Sequence, residues 1–553
     1  MQNEARREQQ LGCKLFTICV QAVFQSLFIL TVADDKVNWN MAMSPNNIGP
    51  LKHERAADEL ELERRAAETD GGAPSTWSYK FAVLFLAVYY IRPQDWLPGM
   101  AGFNIVRTIM LGWGMILIGE GSQSPVRGWF RTPHDWTMLA LYVYVVWNAP
   151  SEAGATMGMF SLVVFYYLTT QALSSWQNVL GYLKAWNALL LMLAIMGVLQ
   201  IMGMDITGGK SNTEMFKGRL SLGTWMADNP NSLGHSVVAV IPLSFVLFFW
   251  KGSALGRMIL FPTCAALAIW CAWHTQSKGA FVVGGVLTVL ALAVGRPKWV
   301  QILLFSAAMT IGVGALSFLP RMESMGNLSS DEGVLGRLMA WEMARTAMEH
   351  HTFGVGWRQF VANIIWREGN YIEVVPKSTH CSYVQIGADL GKYGLFVWLL
   401  GLWTAMRTII FFKSDDETEE RCRRGTILLV SAYAMSNWMI NREYHTEYFL
   451  LIAVAAAIHR LRQAEAATAQ QNLAGVEPAG SEAELSQTPA LQLHASIDKG
   501  RMIPALLISR GSEVDEQRPF VKRGSTLLNL AVAALLTWVV LAIWDQVLAK
   551  MLF

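Results

Sequence analysis

Apolar residues recur along the chain in long runs that are separated by short polar segments. A run of about 20 apolar residues crosses the hydrocarbon core of a bilayer as a helix, and a helix also satisfies the backbone hydrogen bonds that lipid cannot. The runs therefore predict an all-α fold, a polytopic bundle of about 12–14 transmembrane helices. Thirteen segments fit this pattern: about 79–93, 103–119, 135–149, 155–174, 177–202, 232–250, 255–273, 279–295, 299–319, 393–413, 425–440, 446–459 and 525–544.

The N-terminal region, residues 1–78, holds one more apolar segment at 15–33 whose topology stays open. Basic residues precede it, and the positive-inside rule places that end in the cytoplasm. The charged stretch ERAADELELERRAAE would then lie outside, against the orientation that the other loops indicate. A signal-like segment, an interfacial helix and translation from Met41 are three interpretations that fit.

Basic residues occupy alternate short loops, and therefore one side of the membrane. The positive-inside rule assigns that side to the cytoplasm. The opposite side then carries the loop 203–231, the HTQSK turn, the long loop 320–392, which we expect to be mostly helical, and the NREYHTE turn. The basic residues are Arg127, Arg131, Lys251, Arg257, Arg296, Lys298, Arg421, Arg423, Arg424, Arg460 and Arg462.

Beyond the N-terminal region, the pattern divides the chain into three parts. Residues 79–462 form the transmembrane domain with its loop 320–392. Residues 463–523 are rich in Ala, Glu and Gln and lack a core-forming pattern, so we expect a flexible cytoplasmic linker. Residues 524–553 hold a last transmembrane helix. We expect neither the linker nor this helix to be needed for chemistry.

The composition agrees with a membrane protein and narrows the chemistry. The mean hydropathy is +0.30, and 16% of the 553 residues are charged, against about 25% in a soluble domain. A net charge of +2 gives no reason to expect nucleic-acid binding. No two of the six cysteines lie close together in one polar segment, so the sequence predicts neither a disulfide framework nor a thiolate metal site.

Polar residues suited to chemistry gather in the loops of the outer side. In GRLMAWEMARTAMEHH, Arg337, Trp341 and Arg345 recur every four residues and share one side of a helix. The glycines of FGVGWRQF permit a tight turn, and His380 precedes a polar-to-apolar helix in STHCSYVQIGADLGKYGL. Polar residues at a membrane edge indicate function.

The order of these pieces resembles the O-antigen ligase and O-antigen polymerase superfamily. There the loop typically reads Arg-Leu-x-x-Trp, Gly-x-Gly, His-Asn-x-Tyr-Leu and Glu-x-Gly-x-x-Gly. The segments GRLMAWEMA, FGVGWRQF and the His380 helix ending in ADLGKYG follow that order. Earlier, ADNPNSLG is similar to an Asp-Pro-Asn segment of the family and TQSKGA to its Ser-Arg-Gly segment. The resemblance spans about 215–460.

Three positions depart from the family pattern. Lys278 stands where arginine is usual, Cys381 where asparagine is common, and Asp389 where glutamate is usual. A lysine keeps the positive charge but lacks the bidentate fork with which arginine grips phosphate.

The resemblance implies a glycosyltransferase of the metal-independent, inverting type with the C-type membrane fold and no cofactor. It implies the bacterial inner membrane, with the active site on the periplasmic side. The donor would be a glycan on undecaprenyl diphosphate. The acceptor would be the lipid A core for a ligase, or a lipid-linked glycan for a polymerase, and related enzymes use a protein hydroxyl. The sequence does not distinguish these.

Three residues carry the chemistry that the resemblance implies. Arg337 and Lys278 suit the leaving diphosphate, where negative charge grows as the glycosidic bond breaks. His380, with an ordinary pKa of about 6.5, suits a base facing the acceptor hydroxyl. The catalytic candidates are therefore Arg337 and His380. A second group of candidates consists of Trp341, Arg345, Asn231, Arg442 and His445.

Each candidate also has a purely structural interpretation. Trp341 suits packing or interface anchoring, Lys278 suits a snorkelling helix end, and His380 suits an ordinary helix start. For Arg345 we favour anchoring to lipid headgroups over catalysis. Asn231, with its neighbours in DNPN, suits a turn and helix cap, and the turn that carries Arg442 and His445 suits a solvated surface.

Two other classes of function compete with the transferase. A transporter or flippase would show inverted repeats or charges near the midplane. Pro242 and Pro262 could break helices, but the spans are nearly free of charge and no repeat is evident. A membrane scaffold would not require the ordered polar loop.

Overall fold

The computed structural model describes residues 76–97, 99–100, 102–120, 128–149, 153–210, 218–224, 227–316, 332–368, 371–412, 414–474 and 524–551. The apolar segment 15–33 and most of the predicted linker lie outside these residues.

The described residues form a helical bundle with one β-hairpin. The first helices are α1 (Trp77–Ile91), α2 (Pro93–Trp96), α3 (Ile105–Gly119), α4 (Pro133–Trp147), α5 (Ala153–Ala172), α6 (Trp176–Ile201), α7 (Pro230–Val237) and α8 (Val240–Ser244), which continues as a π-helical turn, Phe245–Phe249. A second π-helical turn, Gly256–Leu260, leads into α9 (Phe261–Thr275), α10 (Lys278–Ala293), α11 (Lys298–Leu316) and α12 (Glu332–His350). The hairpin, β1 (Ala362–Glu368) and β2 (Tyr371–Lys377), precedes α13 (Ser382–Phe411), α14 (Glu417–Ser436), α15 (Thr446–Ala474) and α16 (Gly524–Met551).

The chain is a polytopic helical membrane protein, as the apolar runs predicted. Among the described residues, five helices are long and apolar enough to cross a bilayer: Trp176–Ile201, Pro230–Phe249, Gly256–Thr275, Ser382–Phe411 and Thr526–Lys550. Shorter apolar helices, such as α3 and α10, add to the bundle.

Helix α15 forms the centre of the bundle. From Tyr448 to Ile458 every side chain is at most 1% exposed, because α5, α13 and α14 pack around it. A helix that is buried all round carries no polar stripe, and this stretch, YFLLIAVAAAI, has none.

A buried ion pair joins α4 to α15. Arg460 donates to both oxygens of the Asp135 carboxylate at 3.0 Å, and the two side chains are 1% and 0% exposed. Asp135 also accepts a hydrogen bond from the Tyr166 hydroxyl at 2.7 Å and completes the capping box with Thr132 at the start of α4. The carboxylate therefore ties α5 and α15 to the first turn of α4.

This geometry corrects two sequence-based expectations. Arg460 was assigned to a loop, but α15 continues to Ala474, past the predicted start of the linker at residue 463. Arg421, Arg423 and Arg424, also assigned to a loop, lie in the first turns of α14. The reason is that charges at helix ends are bonded to neighbouring helices, which polarity along the sequence does not reveal.

The polar connections separate into two ends of the bundle. At the arginine end, Arg421 donates to Leu247 O at 2.6 Å and Arg424 to Val294 O at 3.0 Å, while Trp176 bonds to Glu465. The loop end carries the connections around 203–229, 276–277, 351–381 and 437–445. There Arg219 donates to Thr275 O at 3.0 Å. The short basic loops and the long polar loop thus lie at opposite ends.

The described part of the long loop is less helical than the sequence suggested. Helix α12 is present, but β1 and β2 pair as an antiparallel hairpin with Ala362 opposite Lys377 and Glu368 opposite Tyr371. The expectation of a mostly helical loop is therefore corrected for residues 362–377. Burial alternates at the start of β1, as in a pleated strand that is covered on one face: Ala362 and Ile364 are buried, while Asn363 and Ile365 are exposed.

Helix α13 is broken at Gly391, where φ is +68°. A Cβ at Gly391 would lie 2.2 Å from Thr352 O, and one at Gly354 would lie 2.3 Å from Asp389 O. Only glycine permits this backbone contact. Through it the FGVGW loop forms two hydrogen bonds with α13, from Val355 N to Ala388 O at 3.0 Å and from Gly356 N to Asp389 O at 2.8 Å.

The last helix, α16, packs against α13 and α12. The Trp544 side chain is fully buried beside Gly387, and its Nε1 donates to Trp341 O at 3.2 Å. Arg345 Nε lies 2.6 Å from Asp545 Oδ1. A truncation before α16 would remove these contacts, and the expectation that the last helix is not needed for chemistry stays a prediction.

We expect Trp544→Phe to lower the free energy of unfolding by about 1–3 kcal/mol. The bond to Trp341 O, worth about 1 kcal/mol, is lost, and the smaller phenyl ring leaves a cavity beside Gly387. Thermal unfolding of the purified protein in detergent measures the change. Trp538 is 66% exposed, so Trp538→Phe is the matched control, and equal effects of the two variants would contradict the docking.

Candidate functional site

The polar segments at the loop end converge on the start of α7. Asn229 caps this helix by accepting from Ser232 N at 2.9 Å, and Pro230 follows at the first helical position. Asn231 Oδ1 accepts from Arg219 at 2.7 Å. The helix-cap interpretation of the DNPN segment is therefore correct for Asn229, whereas Asn231 lies inside the helix and holds the neighbouring loop through Arg219.

The start of α10 lies directly against α7. Ser277 caps α10 by accepting from Ala280 N. A Cβ at Gly234 would lie 3.1 Å from the Ser277 Cβ, and one at Gly279 would lie 3.1 Å from His235 Nε2. Because these two residues are glycines, the starts of the two helices can approach closely. Lys278 is the first residue of α10, lies beside His235 and is partly buried.

His235 is a buried histidine that the sequence analysis did not select. It is 2% exposed, and its Nδ1 lies 3.0 Å from the Ser436 hydroxyl. Its Nε2 is buried and has no hydrogen-bond partner among the residues that the structure describes. The positive charges of Arg442 and Arg337 both act on this ring.

Arg442 holds the turn after α14 against α7. Its guanidinium donates to Ser232 O at 2.7 Å, to the Ser236 hydroxyl at 2.6 Å and to Glu447 at 3.1 Å. The side chain is 3% exposed. The interpretation of this turn as a solvated surface is therefore wrong, because its cation is buried and bonded within the protein.

His445 and Glu443 flank Arg442 in the same turn. Burial, with the charges of Arg442, Arg358 and Arg92, lowers the pKa of His445 to about 3. Burial, with the nearby carboxyl of Asp389, raises the pKa of Glu443 to about 7. Both shifts favour the neutral form of the side chain, because a buried turn lacks the water that would stabilise the charged form.

His380 lies in a tightly bonded segment before α13. The preceding Thr379 hydroxyl contacts Gln385 Oε1 at 3.1 Å and Asn441 Oδ1 at 3.2 Å. The following Ser382 hydroxyl bonds to Asn437 at 2.7 Å. His380 itself has φ of +49°, a left-handed conformation that costs about 1–3 kcal/mol and persists only where the surroundings enforce it.

The environment of His380 keeps its imidazole neutral. Burial, with the charges of Arg337 and Lys377, lowers its pKa to about 4. At neutral pH a ring nitrogen is therefore available as a hydrogen-bond acceptor or base.

The three residues that the four-residue spacing places on one face of α12 make different interactions. Arg337, partly buried, acts electrostatically on both His380 and His235. Trp341 Nε1 donates to Thr379 O at 2.8 Å and so holds the residue next to His380. Arg345 bonds instead to Asp545 and Glu349.

Asp389, where the family pattern has glutamate, is a structural anchor. Its Oδ1 accepts from Phe360 N at 2.8 Å, and its Oδ2 accepts from the Tyr444 hydroxyl at 3.0 Å. The side chain thereby fixes the loop after Gly356 and the turn that carries His445.

The charge of Arg337 therefore acts on the His380 imidazole and on His235. Arg442 and the first turn of α10, which carries Lys278, lie beside His235. Cations and a neutral imidazole thus lie near one another in partly buried positions, which suits binding an anion next to a nucleophilic hydroxyl. Arg345 lies away from it, Asn231 and Trp341 support its walls, and His445 lies on the far side of Arg442. Within the described ranges, no group of three or more His, Cys, Asp or Glu side chains is placed to hold a metal ion.

A family comparison finds that residues 263–399 match the model described as O-antigen ligase, a family of glycosyltransferase-type enzymes. The match runs from α9 through α12 and the hairpin into the first half of α13, and it contains Lys278, Arg337 and His380. It agrees with the family that the sequence motifs suggested. A comparison with curated proteins finds no match.

Proposed function

We propose that this O-antigen ligase-like membrane protein transfers a glycan from an undecaprenyl-diphosphate carrier to an acceptor hydroxyl at the loop end of the bundle. The observation that carries the proposal is the match of residues 263–399 to the O-antigen ligase model, a segment that contains Lys278, Arg337 and His380 and in which the charge of Arg337 acts on His380. An enzyme of this class needs a cation at the leaving group and an acceptor at the incoming hydroxyl within one small space.

Arg337 and Lys278 would bind the diphosphate. Arg337 supplies the paired N–H donors that match phosphate oxygens. Lys278 supplies a second cation at the first turn of α10, where the backbone N–H groups also favour an anion. Both act most strongly as the glycosidic bond breaks and the diphosphate gains charge.

His380 would face the acceptor. With its pKa lowered, its neutral ring either takes the proton of the acceptor hydroxyl or orients that hydroxyl while the leaving diphosphate takes the proton. In both cases the acceptor oxygen bonds to the anomeric carbon as the bond to the diphosphate breaks, which inverts the configuration. This chemistry assigns no step to a metal ion or cofactor.

His235 and Arg442 would position the other groups. His235 fills the junction between α7 and α10 beside Gly279, so its ring would support the first turn of α10, where Lys278 lies. Arg442 donates to Ser232 O and pairs with the Glu447 carboxylate, so this carboxylate would not oppose the binding of an anionic donor.

The loop end would face the periplasm and the arginine end the cytoplasm of a bacterial inner membrane. The positive-inside rule supports this orientation, since the basic loops gather at the arginine end. The acceptor would be the lipid A core or a lipid-linked glycan, and the donor would reach the site from the surrounding membrane lipids.

The direct experiment is transfer by the purified protein. Undecaprenyl-diphosphate glycan and a hydroxyl acceptor are supplied in detergent, with a chelator present, and the product is followed by mass spectrometry. Transfer supports the proposal. Vesicle uptake of the lipid-linked glycan without transfer would favour the alternative, a transporter or flippase.

Gene deletion separates ligase from polymerase. Loss of long chains with single repeats still attached to the surface lipid indicates a polymerase. Accumulation of unattached lipid-linked polymer indicates a ligase.

We expect Arg337→Lys to lower kcat/KM for the donor about 10- to 100-fold, since the charge stays but one charge-assisted hydrogen bond of about 1.5–3 kcal/mol is lost. Lys278→Arg should retain activity, because it restores the residue that is common in the family. Initial rates of transfer measure both. Arg345→Lys is the matched control on the same helix, since Arg345 bonds to Asp545, and an equal loss there would point to general damage to α12.

We expect Glu373→Cys, exposed on β2, to react with a membrane-impermeant maleimide in intact spheroplasts. Cys264, Cys271, Cys381 and Cys422 are buried, so only Cys13 and Cys19 need replacement by serine. Asp415→Cys, exposed at the arginine end, should react only after lysis. The reverse pattern would invert the topology.

A further inference from the structure

A separate cavity of about 320 Å³ opens at the loop end, between the membrane helices and the turn that carries His445. Its polar wall contains Arg92, Gln94, Trp357, Arg358 and His445. These residues come from the α1–α2 junction, the FGVGW loop and the turn before α15. The wall is thus assembled from three connections that lie far apart in the sequence.

Two guanidinium groups give this wall its charge. The Arg358 guanidinium carbon lies 4.7 Å from the ring centre of Trp357 and 5.5 Å from that of Tyr444. It donates to Tyr444 O at 3.3 Å, which uses one of its five donors. The second guanidinium, that of Arg92, lies 2.9 Å from Asp95. Both arginines stand in left-handed backbone, with φ of +46° and +58°.

Two further polar atoms of the wall are buried without a partner among the described residues. They are the Trp357 Nε1 donor and the Gln94 Oε1 acceptor. A buried polar group that lacks a hydrogen bond is costly, so a native protein that keeps two beside one cavity indicates a polar occupant. The electrically neutral His445 adds ring nitrogens that exchange donor and acceptor roles.

The opposite wall is apolar and belongs to the membrane helices. It is formed by Phe85 and Val88 of α1, Val106 of α3 and Leu162 of α5. Helix α3 presents Leu111, Met115 and Ile118 as exposed apolar side chains, which suit contact with lipid chains along the same helix. The occupant therefore has a polar group above and hydrocarbon below.

The cavity is distinct from the proposed donor site. Arg442 points toward α7, where it bonds to Ser232 and Ser236, whereas His445, three residues later, lines the cavity. The turn between these two residues forms the partition. Arg337, Lys278, His235 and His380 are not among the lining residues.

We propose that this cavity binds the phosphate of a membrane lipid, with the phosphate against Arg92, Arg358 and Trp357 Nε1 and the first chain carbons along Val88, Val106 and Leu162. Arginine is the residue best matched to phosphate geometry, and aromatic rings at the membrane edge suit the polar–apolar boundary. The lipid is a phospholipid or another phosphate-bearing lipid, bound in addition to the glycan donor. The proposal does not rest on the transferase function.

The test is binding to the full-length purified protein in an uncharged detergent. Dihexanoyl phosphatidic acid is the probe, dihexanoylglycerol is its phosphate-free analogue, and inorganic phosphate is the chain-free analogue. Apparent Kd values come from thermal-shift titration. We expect the phosphate-bearing lipid to bind most tightly, and Arg92→Gln and Arg358→Gln each to raise its Kd at least about tenfold, the loss expected for a charge-assisted hydrogen bond.

Two variants control for folding and for general charge. Trp357→Phe removes the unpartnered N–H together with part of the aromatic surface beside Arg358, and it should weaken binding severalfold. Arg107→Gln removes a positive charge from an exposed position next to Val106 but outside the cavity, and it should bind as the parent does. Equal binding of dihexanoylglycerol would overturn the phosphate assignment. Equal binding of inorganic phosphate would overturn the lipid assignment. An equal loss in Arg107→Gln, or no binding at all, would overturn the site.

Discussion

His380→Ala should abolish glycan transfer while leaving donor binding intact. Removing a general base or a hydrogen-bond acceptor from the reacting hydroxyl lowers kcat by about 100- to 10,000-fold. The diphosphate is held by other residues, Arg337 and Lys278, so its affinity should change little. Single-turnover transfer and donor titration separate the two effects.

His380→Asn tests whether any loss of activity in His380→Ala comes from a changed backbone conformation. His380 has φ of +49°, and asparagine tolerates the left-handed conformation better than alanine does. His380→Asn should therefore fold as the parent does and still lack the base. If His380→Asn transfers at the parental rate, the imidazole takes no part in the reaction.

The pH profile makes the same point without mutation. Because the pKa of His380 is lowered to about 4 by burial and by the charges of Arg337 and Lys377, its ring stays neutral down to that pH. Below it, the ring gains a proton and loses its acceptor nitrogen. We expect kcat/KM, which reports the free enzyme, to be flat between about pH 6 and pH 8. A fall centred near 6.5 would mean an ordinary, solvated histidine.

Asp135→Ala should lower the free energy of unfolding by about 3–5 kcal/mol, the cost of leaving one member of a buried ion pair alone. Arg460 would then keep a charge that is 1% exposed with its carboxylate removed. Tyr166 would lose its acceptor, and α4 would lose half of its capping box. Denaturant-induced unfolding in detergent measures the loss.

Two further variants show that burial is the cause. Arg462 lies two residues beyond Arg460 on α15, yet its side chain is 25% exposed, and those of its partners Glu419 and Glu465 are 13% and 42% exposed. Arg462→Ala should therefore cost no more than about 1 kcal/mol. The double variant Asp135→Leu with Arg460→Met should be more stable than Asp135→Ala, because no unpaired charge stays buried. Equal losses for Arg460→Ala and Arg462→Ala would contradict this account.

The apolar runs located most of the helices because the bilayer dictates their length and composition. The same pattern could not place Arg460, since its partner lies 325 residues away in the sequence. The hairpin does have a signal in the sequence: ANIIWRE and YIEVVPK are short segments rich in β-branched and aromatic residues, and they are joined by Gly-Asn, a pair typical of tight hairpins.

The candidate site likewise contains residues that the sequence could identify and one that it could not. Arg337, Lys278 and His380 could be selected because their neighbours form motifs with a fixed order. His235 had no such neighbours, and a lone histidine in an apolar segment looks like an ordinary core residue. Its environment is made by Ser436 and Arg442, about 200 residues later, and by the missing side chain of Gly279. Such a site exists only once the helices have packed.

The docking of α16 has a consequence for biogenesis. In the chain, α16 follows every other described helix, so it leaves the ribosome and enters the membrane after them. Until then Arg345 lacks Asp545 and the α12 backbone lacks the Trp544 bond. A nascent chain would thus insert its earlier helices while the Trp341–Arg345 part of α12 still lacks its α16 contacts. Premature termination in the linker would yield an inserted protein in which these contacts never form.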